Sequence, residues 1–385
     1  MAHPSNRRVL IAVFSGSLGV GLIFGFQPPL IALTLARLGA SNFMIGAVTA
    51  ASLIAVIMLG PLYPRVIARL GCKRSIVLGI AFASIILPLM PLISSIPVWL
   101  ILRFLTGGAL GLTWIASEIW MNNVSSADSR GKVMGIYGTV FSIGTIGGPI
   151  LLEFTGTQGW QPFIIGGLVL AFTLTPLAVM RSAVSKPEGI TSLNGLKAML
   201  GIAPVVMVAA LVAGLVESAD LTLLPLYGLH SGFGEGAALL LVTVFMAGNV
   251  ILQLPIGLLA DRYGRRTILA ICAAISAIGP LLLPSFLGQP LFLWPLLFIW
   301  GGTLYAFYSQ GVALMGDEYS NAQLPSANTL FVMVYCFGGI IGPSAGGVAM
   351  DLWPRMGLPV VLSAAALVLL LAIKMTATPI VTRRL

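Results

Sequence analysis

The sequence predicts an all-α integral membrane protein of twelve transmembrane helices, built as two pseudo-symmetric six-helix bundles. Three observations carry that prediction. Hydrophobic residues make up 58% of the 385-residue chain, charged residues only 8%, and the mean hydropathy is +1.04, whereas a soluble domain carries roughly 25% charged residues. Apolar stretches recur along the whole length, each long enough to cross a hydrocarbon layer about 30 Å thick. Finally, two sequence elements return after half the chain: Gly71 and Gly264 are 193 residues apart, and Pro149 and Pro343 are 194 apart. A repeat at that period marks two copies of one unit.

The twelve spans are expected at 9–36, 43–63, 75–94, 97–120, 133–153 and 162–181 in the first half, and at 199–228, 236–260, 267–287, 290–314, 326–350 and 357–378 in the second. We number them 1 to 12. Backbone polar groups cannot stay unpaired in lipid, so continuous apolar runs of this length are helices. They also lack the alternation of a membrane barrel strand. Arg7 and Arg8 precede the first run as they would in a secretory signal, but the run is too long and no A-x-A-like site follows, so it is read as span 1. Most connections are tight, as at Ser94–Pro97, Asn122–Arg130 and Gly288–Pro290. The longest polar stretch lies at the middle and divides the chain into a bundle at 1–181, a cytoplasmic linker at 182–198 and a second bundle at 199–385.

The formal charge of +9 does not imply a nucleic-acid partner. With the N-terminus inside, all but three of the 20 basic residues fall in cytoplasmic segments; Arg37 and Arg355 fall outside and Arg103 within span 4. This is the positive-inside pattern, so both termini are expected to be cytoplasmic, in an inner membrane, with the charge facing anionic lipid. Cys72, Cys272 and Cys336 form no framework or metal cluster, and no G-x-x-x-x-G-K-[ST] phosphate cradle occurs, so neither a cofactor nor a metal is expected. The many glycines, 45 in all, are read as close-packing positions. Only His3 and His230 are available as histidine bases, which disfavours a membrane enzyme.

Two motifs carry the functional reading. Gly257–Arg266 reads G-L-L-A-D-R-Y-G-R-R between spans 8 and 9, echoed by Arg69–Arg74 (R-L-G-C-K-R). Asp261 is expected to pair with Arg265 and Arg266, or with a helix N-terminus, as a latch that breaks when the halves rock. Arg262 and Gly264 belong to the same turn, and Arg69, Lys73 and Arg74 to its counterpart. Gly338–Gly347 reads G-G-I-I-G-P-S-A-G-G; Gly338, Gly342 and Gly346 share a stripe, and Pro343 removes a backbone hydrogen bond among them. Its partial copy holds Gly144, Gly148 and Pro149.

These residues resemble the major facilitator superfamily. Gly257–Arg266 matches its cytoplasmic-loop motif G-x-L-A-D-R-x-G-R-R, and Gly338–Gly347 matches the G-x-x-x-G-P-x-x-G-G motif of drug:proton antiporters. Arg103 with Gly107 and Gly111 looks like the superfamily's R-x-x-x-G-x-x-x-G. The resemblance implies two bundles around a cavity lined by spans 1, 4, 7 and 10, alternating access and drive by a proton gradient. Departures are specific. Ala68 and Pro64 stand where the first loop copy would hold Asp and Gly, and Ile150–Glu153 replace the second half of the antiporter motif in span 5, where the family carries it. They weaken the case for antiport and leave the fold intact.

Ionisable groups at membrane depth are functional candidates by default. Glu217 and Asp220 share one face of span 7, about 17 and 12 Å below its outer end at 1.5 Å per residue. Two close carboxylates repel, and burial favours the neutral form, as proton coupling requires. The structural alternative pairs them with Arg103. Gln27 lies 193 residues before Asp220, at matching depth in span 1. Glu118 shares a stripe with Trp114 and Asn122, and is either a cavity residue or an interfacial carboxylate paired with Arg130 or Lys132. On span 10, Trp300, Thr303, Phe307 and Gln310 form one stripe and Tyr305 and Tyr308 a neighbouring one; they serve either packing or an organic substrate. Asp317 and Glu318 are expected to face Arg130 or Lys132 as a gate between halves.

The function expected is proton-coupled secondary transport of a small organic molecule, by a monomer, with export favoured. Import of a vitamin, sugar or similar nutrient is the alternative. A non-transporting receptor on the same fold would be expected to carry a soluble sensory extension.

Overall fold

The computed structural model describes residues 4–124, 130–178, 201–320 and 323–376. Among them, ten helices are long and apolar enough to cross a membrane. They are Val13–Arg37, Asn42–Leu70, Cys72–Leu92, Ile96–Met121 and Ile136–Thr155 for spans 1 to 5, and Pro204–His230 for span 7. Arg265–Phe286, Pro290–Glu318, Ser326–Leu352 and Gly357–Met375 follow as spans 9 to 12. Span 8 is a pair, Glu235–Ile251 and Gln253–Tyr263, meeting at 42°. Pro255 explains the bend, because its ring opposes the carbonyl of Ile251, one turn earlier. Span 6 is the shorter apolar stretch Gln161–Leu177, interrupted at Thr173 and Leu174. The rest of its expected range, and the linker, lie outside the described residues.

The repeat is visible in the backbone. Gly71 and Gly264 adopt φ of 79° and 92°, a region that favours glycine. Each donates its N–H to the fourth residue before it, Ile67 or Ala260, and each accepts from the fourth residue after it, Ser75 or Ile268. The opposite end repeats too. Gly39 and Gly232 take φ of 78° and 90°, and the residue after each, Ala40 or Phe233, donates back to Leu35 or Gly228.

Glycines bring helices to backbone contact within each half. A Cβ on Gly144 or Gly148 of span 5 would overlap the backbone of span 1 at Leu18 or Phe26. One on Gly338 or Gly342 of span 11 would overlap the carbonyl of Leu211 or Leu215 in span 7. Gly346, third on that stripe, faces the side chain of Leu223 instead. The two motif copies therefore clamp spans 1 and 7 in equivalent ways. Between the halves, Gly46 of span 2 meets the carbonyl of Pro343, and Gly347 of span 11 meets that of Asn42. Spans 2 and 11 thus close on each other at the end of the molecule that carries Arg37.

Candidate functional site

Glu217 and Asp220 lie one turn apart on span 7 in unlike surroundings. Glu217 is half-buried and accepts a 2.6 Å hydrogen bond from the Tyr335 hydroxyl of span 11. Asp220 is 0% exposed, and neither of its carboxylate oxygens has a partner among the described residues. The Tyr335 ring lies edge-on to Tyr308 of span 10 at 5.5 Å, and Tyr308 is edge-on to Phe331 at 5.3 Å. A chain of three aromatic rings thus leads to the Glu217 carboxylate through Tyr335, while the glycine clamp holds spans 7 and 11 at the separation this hydrogen bond needs. In the first half the equivalent place is apolar: Phe24 and Phe141 are in ring contact at 5.6 Å.

Arg103 is 4% exposed and does not pair with the span 7 carboxylates. Its guanidinium donates to Gln27 Oε1 at 2.5 Å and to Ser52 Oγ at 3.1 Å, inside the first half. Gln27 is therefore a buried acceptor for Arg103 and not an open cavity residue. Arg103 Nε and Gln27 Nε2 have no partner among the described residues. On the same span, Trp114 donates its indole N–H to Glu118 at 2.8 Å, and both are half-buried. The side chains of Asn122, Arg130 and Lys132, the other expected members of this group, lie outside the described residues.

The span 10 stripes divide unequally. Trp300 is buried against Phe245 of span 8, with ring centroids 4.8 Å apart, and Thr303 shares a hydrogen bond with Ser276 of span 9. Phe307 and Gln310 are buried as well. Trp300 and Thr303 thus pack against spans 8 and 9 of the second bundle. On the neighbouring stripe Tyr308 is half-buried; the side chain of Tyr305 lies outside the described residues.

At the Gly264 end the ion pairs differ from expectation. Arg265 bonds Asp317 at 2.7 Å and Arg266 bonds Glu318 at 2.5 Å, so both acids pair within their own half; the side chains of Arg130 and Lys132, their expected partners, lie outside the described residues. Their geometry follows from the chain, because the tight Gly264 turn aims the first turn of span 9 at the last turn of span 10. Asp261 is exposed and forms no ion pair among the described residues; its expected partners are taken. Arg262 lies over the ring of Tyr263. Arg69 and Arg74 are exposed and Lys73 is half-buried.

The Major Facilitator Superfamily model matches this chain over residues 9–242 and again over 232–383. The chain belongs to that superfamily. It is a transporter of the superfamily type and not an enzyme. It is 27% identical over 340 residues to the uncharacterized MFS-type transporter YfkF of Bacillus subtilis, covering 85% of each chain. In fold it is similar to a mutant of the nucleoside transporter NupG, with a TM-score of 0.81 at 17% identity over 96% of this chain and 100% of that one. It is also similar to a D-xylose-proton symporter, with a TM-score of 0.78 at 16% identity over 96% and 97%.

The superfamily motifs did not point to the polar groups that join the halves. Asp351, at the end of span 11, accepts from the backbone N–H of Asn42 and Phe43 at 3.0 Å each, and from the Asn42 amide at 2.8 Å. Arg37 bonds Glu235 at 2.8 Å, and the Thr157 hydroxyl hydrogen-bonds both. Arg37 carried a signal in the sequence, as one of the few basic residues on the wrong side of the charge pattern. Tyr335 carried none beyond its place three residues before Gly338.

Proposed function

We propose that this superfamily member is a proton-coupled secondary transporter that exports a small organic molecule by alternating access. The observation that carries the reading is the span 7 pair. An ionised carboxylate with no donor for either oxygen costs several kcal/mol to bury, and a proton on Asp220 removes that cost. Glu217, one turn closer to the Gly264 end, is half-open and hydrogen-bonded. A proton held at Asp220 thus has a second carboxylate beside it on the same helix face. Tyr308 and Tyr335 supply aromatic surface for an organic substrate next to that carboxylate.

In this reading the Gly264 end is cytoplasmic, as are both termini, because the basic residues gather there. The protein works as a monomer in an inner membrane, its partners being substrate, protons and lipid. The departures from the antiporter motif in span 5 favour a second reading, uptake of a nutrient by symport through the same carboxylates.

The test is flux into proteoliposomes under an imposed pH gradient, with a panel of organic cations, nucleosides and sugars. Wild type is compared with Glu217→Gln and Asp220→Asn. Loss of gradient-driven flux with substrate counterflow retained is the expected result. Flux whose pH dependence survives both substitutions overturns the reading. The sign of the gradient that drives accumulation separates export from uptake.

A further inference from the structure

At the Arg37 end, each half reaches the other through one polar clasp. In the first clasp, Glu235 opens span 8 and holds Arg37, from the end of span 1, and Thr157, just beyond span 5. In the second, Asp351 closes span 11 and caps the start of span 2 by taking two backbone N–H groups and the Asn42 amide. The places correspond: Glu235 is 193 residues after Asn42, and Asp351 is 194 after Thr157. Each clasp thus joins the end of span 5 or 11 to the start of span 8 or 2. The acid has changed sides between them. In one it stands on the receiving helix and meets a guanidinium; in the other it stands on the donating helix and meets a helix N-terminus, whose free N–H groups and dipole favour an anion. Below the clasps, Thr222 of span 7 hydrogen-bonds Thr49 of span 2 at 3.5 Å, and both are buried.

We propose that Asp351 and the Arg37–Thr157–Glu235 group are the two halves of one gate, related by the same twofold as the bundles, and that this gate holds the Arg37 end shut. Neither clasp contains a span 7 carboxylate, so the gate stands apart from the coupling chemistry. Removing both leaves spans 2 and 11 joined by apolar and glycine packing, as where Gly46 meets Pro343 and Leu53 meets Gly339, with the Thr49–Thr222 bond linking span 2 to span 7. The closed arrangement then loses every charged group that crosses its rim among these residues.

The experiment measures distances between spin labels at Leu38 and Gln289, exposed positions in the two halves at this end, with the full chain in nanodiscs. In wild type the short distance dominates. Asp351→Asn and Glu235→Gln each raise the population of the longer distance at least twofold, and the double variant raises it further. The charge exchange Arg37→Glu with Glu235→Arg returns the distribution towards wild type. A second label pair within the first half, Leu38 and Trp160, keeps its distance throughout. Persistence of the short distance in the double variant overturns the gate, and failure of the charge exchange to restore it overturns the ion-pair clasp. Lengthening within one half as well means general unravelling, and overturns the clasps as its specific cause.

Discussion

Tyr335 donates a hydrogen bond to Glu217 where the first half packs Phe141 against Phe24. The tyrosine and phenylalanine are 194 residues apart, and the glutamate and phenylalanine 193. One place in the repeat is therefore apolar in one bundle and a phenol–carboxylate pair in the other. A ring contact has no charge to titrate, whereas the pair contains a carboxylate held by a phenol donor. In the proposed function the coupling chemistry therefore belongs to the second half, at a place the first half fills with aromatic surface.

Tyr335→Phe removes the hydroxyl and keeps the ring contacts with Tyr308. Hydrogen bonds to charged groups contribute about 1.5–3 kcal/mol. Gradient-driven flux is expected to fall by about tenfold or more, since each 1.4 kcal/mol is a factor of about ten. Substrate counterflow changes less, because the aromatic surface remains. Equal losses in both assays would show that Tyr335 serves the fold and not Glu217.

How much of this was legible in the sequence depends on the reach of each signal. The spans were, because lipid imposes one length and one polarity on every helix. The two glycine turns were, because a positive φ leaves few alternatives at Gly71 and Gly264. Partners were not. Asp317 and Glu318 fall near Arg130 in a topological sketch, yet the Gly264 turn delivers Arg265 and Arg266 to them first. Trp300 and Thr303 lie on a helix that the family resemblance places at a central cavity, but helical spacing does not say which stripe would face it. Asp351 belongs to no pattern, because two of its three donors are backbone N–H groups that any sequence supplies.

The glycine clamps predict a graded stability series. Gly342→Ala places a methyl group on the carbonyl of Leu215, and Gly148→Ala places one on the backbone of Phe26. Overpacking of this kind costs about 1–3 kcal/mol. Gly257, around which a Cβ would meet open space, tolerates alanine with little change. Apparent melting temperature in detergent is the readout, with both clamp variants lower by several degrees. A Gly257→Ala loss as large as theirs would contradict the packing account.

Asp261 makes the sharpest conformational prediction. It has no ion pair among the described residues while the Arg37 end is closed, so losing its charge removes little from this state. If it latches the opposite state, Asp261→Asn favours the closed Arg37 end further. Substitutions between Arg65 and Arg74, where Ala68 replaces the acid, should shift the balance less. Impermeant thiol labelling of Thr222→Cys from the Arg37 side reads this directly, and labelling should drop in Asp261→Asn. An increase would reverse the assignment of the latch.

Arg103 and Gln27 test whether a buried polar pair is retained for stability. Gln27→Leu leaves the guanidinium with Ser52 as its one remaining side-chain acceptor among those described. An unsatisfied buried charged donor costs about 1–3 kcal/mol or more. Removing both partners as Gln27→Leu with Arg103→Met takes away the orphan along with the bond. Replacing a buried polar pair by apolar groups of similar shape is often neutral or stabilising. The double variant is therefore expected to unfold at a higher temperature than Gln27→Leu alone, a non-additivity that a double-mutant cycle isolates because the side chains touch. Flux supplies the other axis. If the double variant is stable and inactive, the pair is kept for transport and not for folding; if it is stable and active, Arg103 is a packing relic of the first half. A double variant less stable than Gln27→Leu would mean that the Ser52 contact carries the guanidinium by itself.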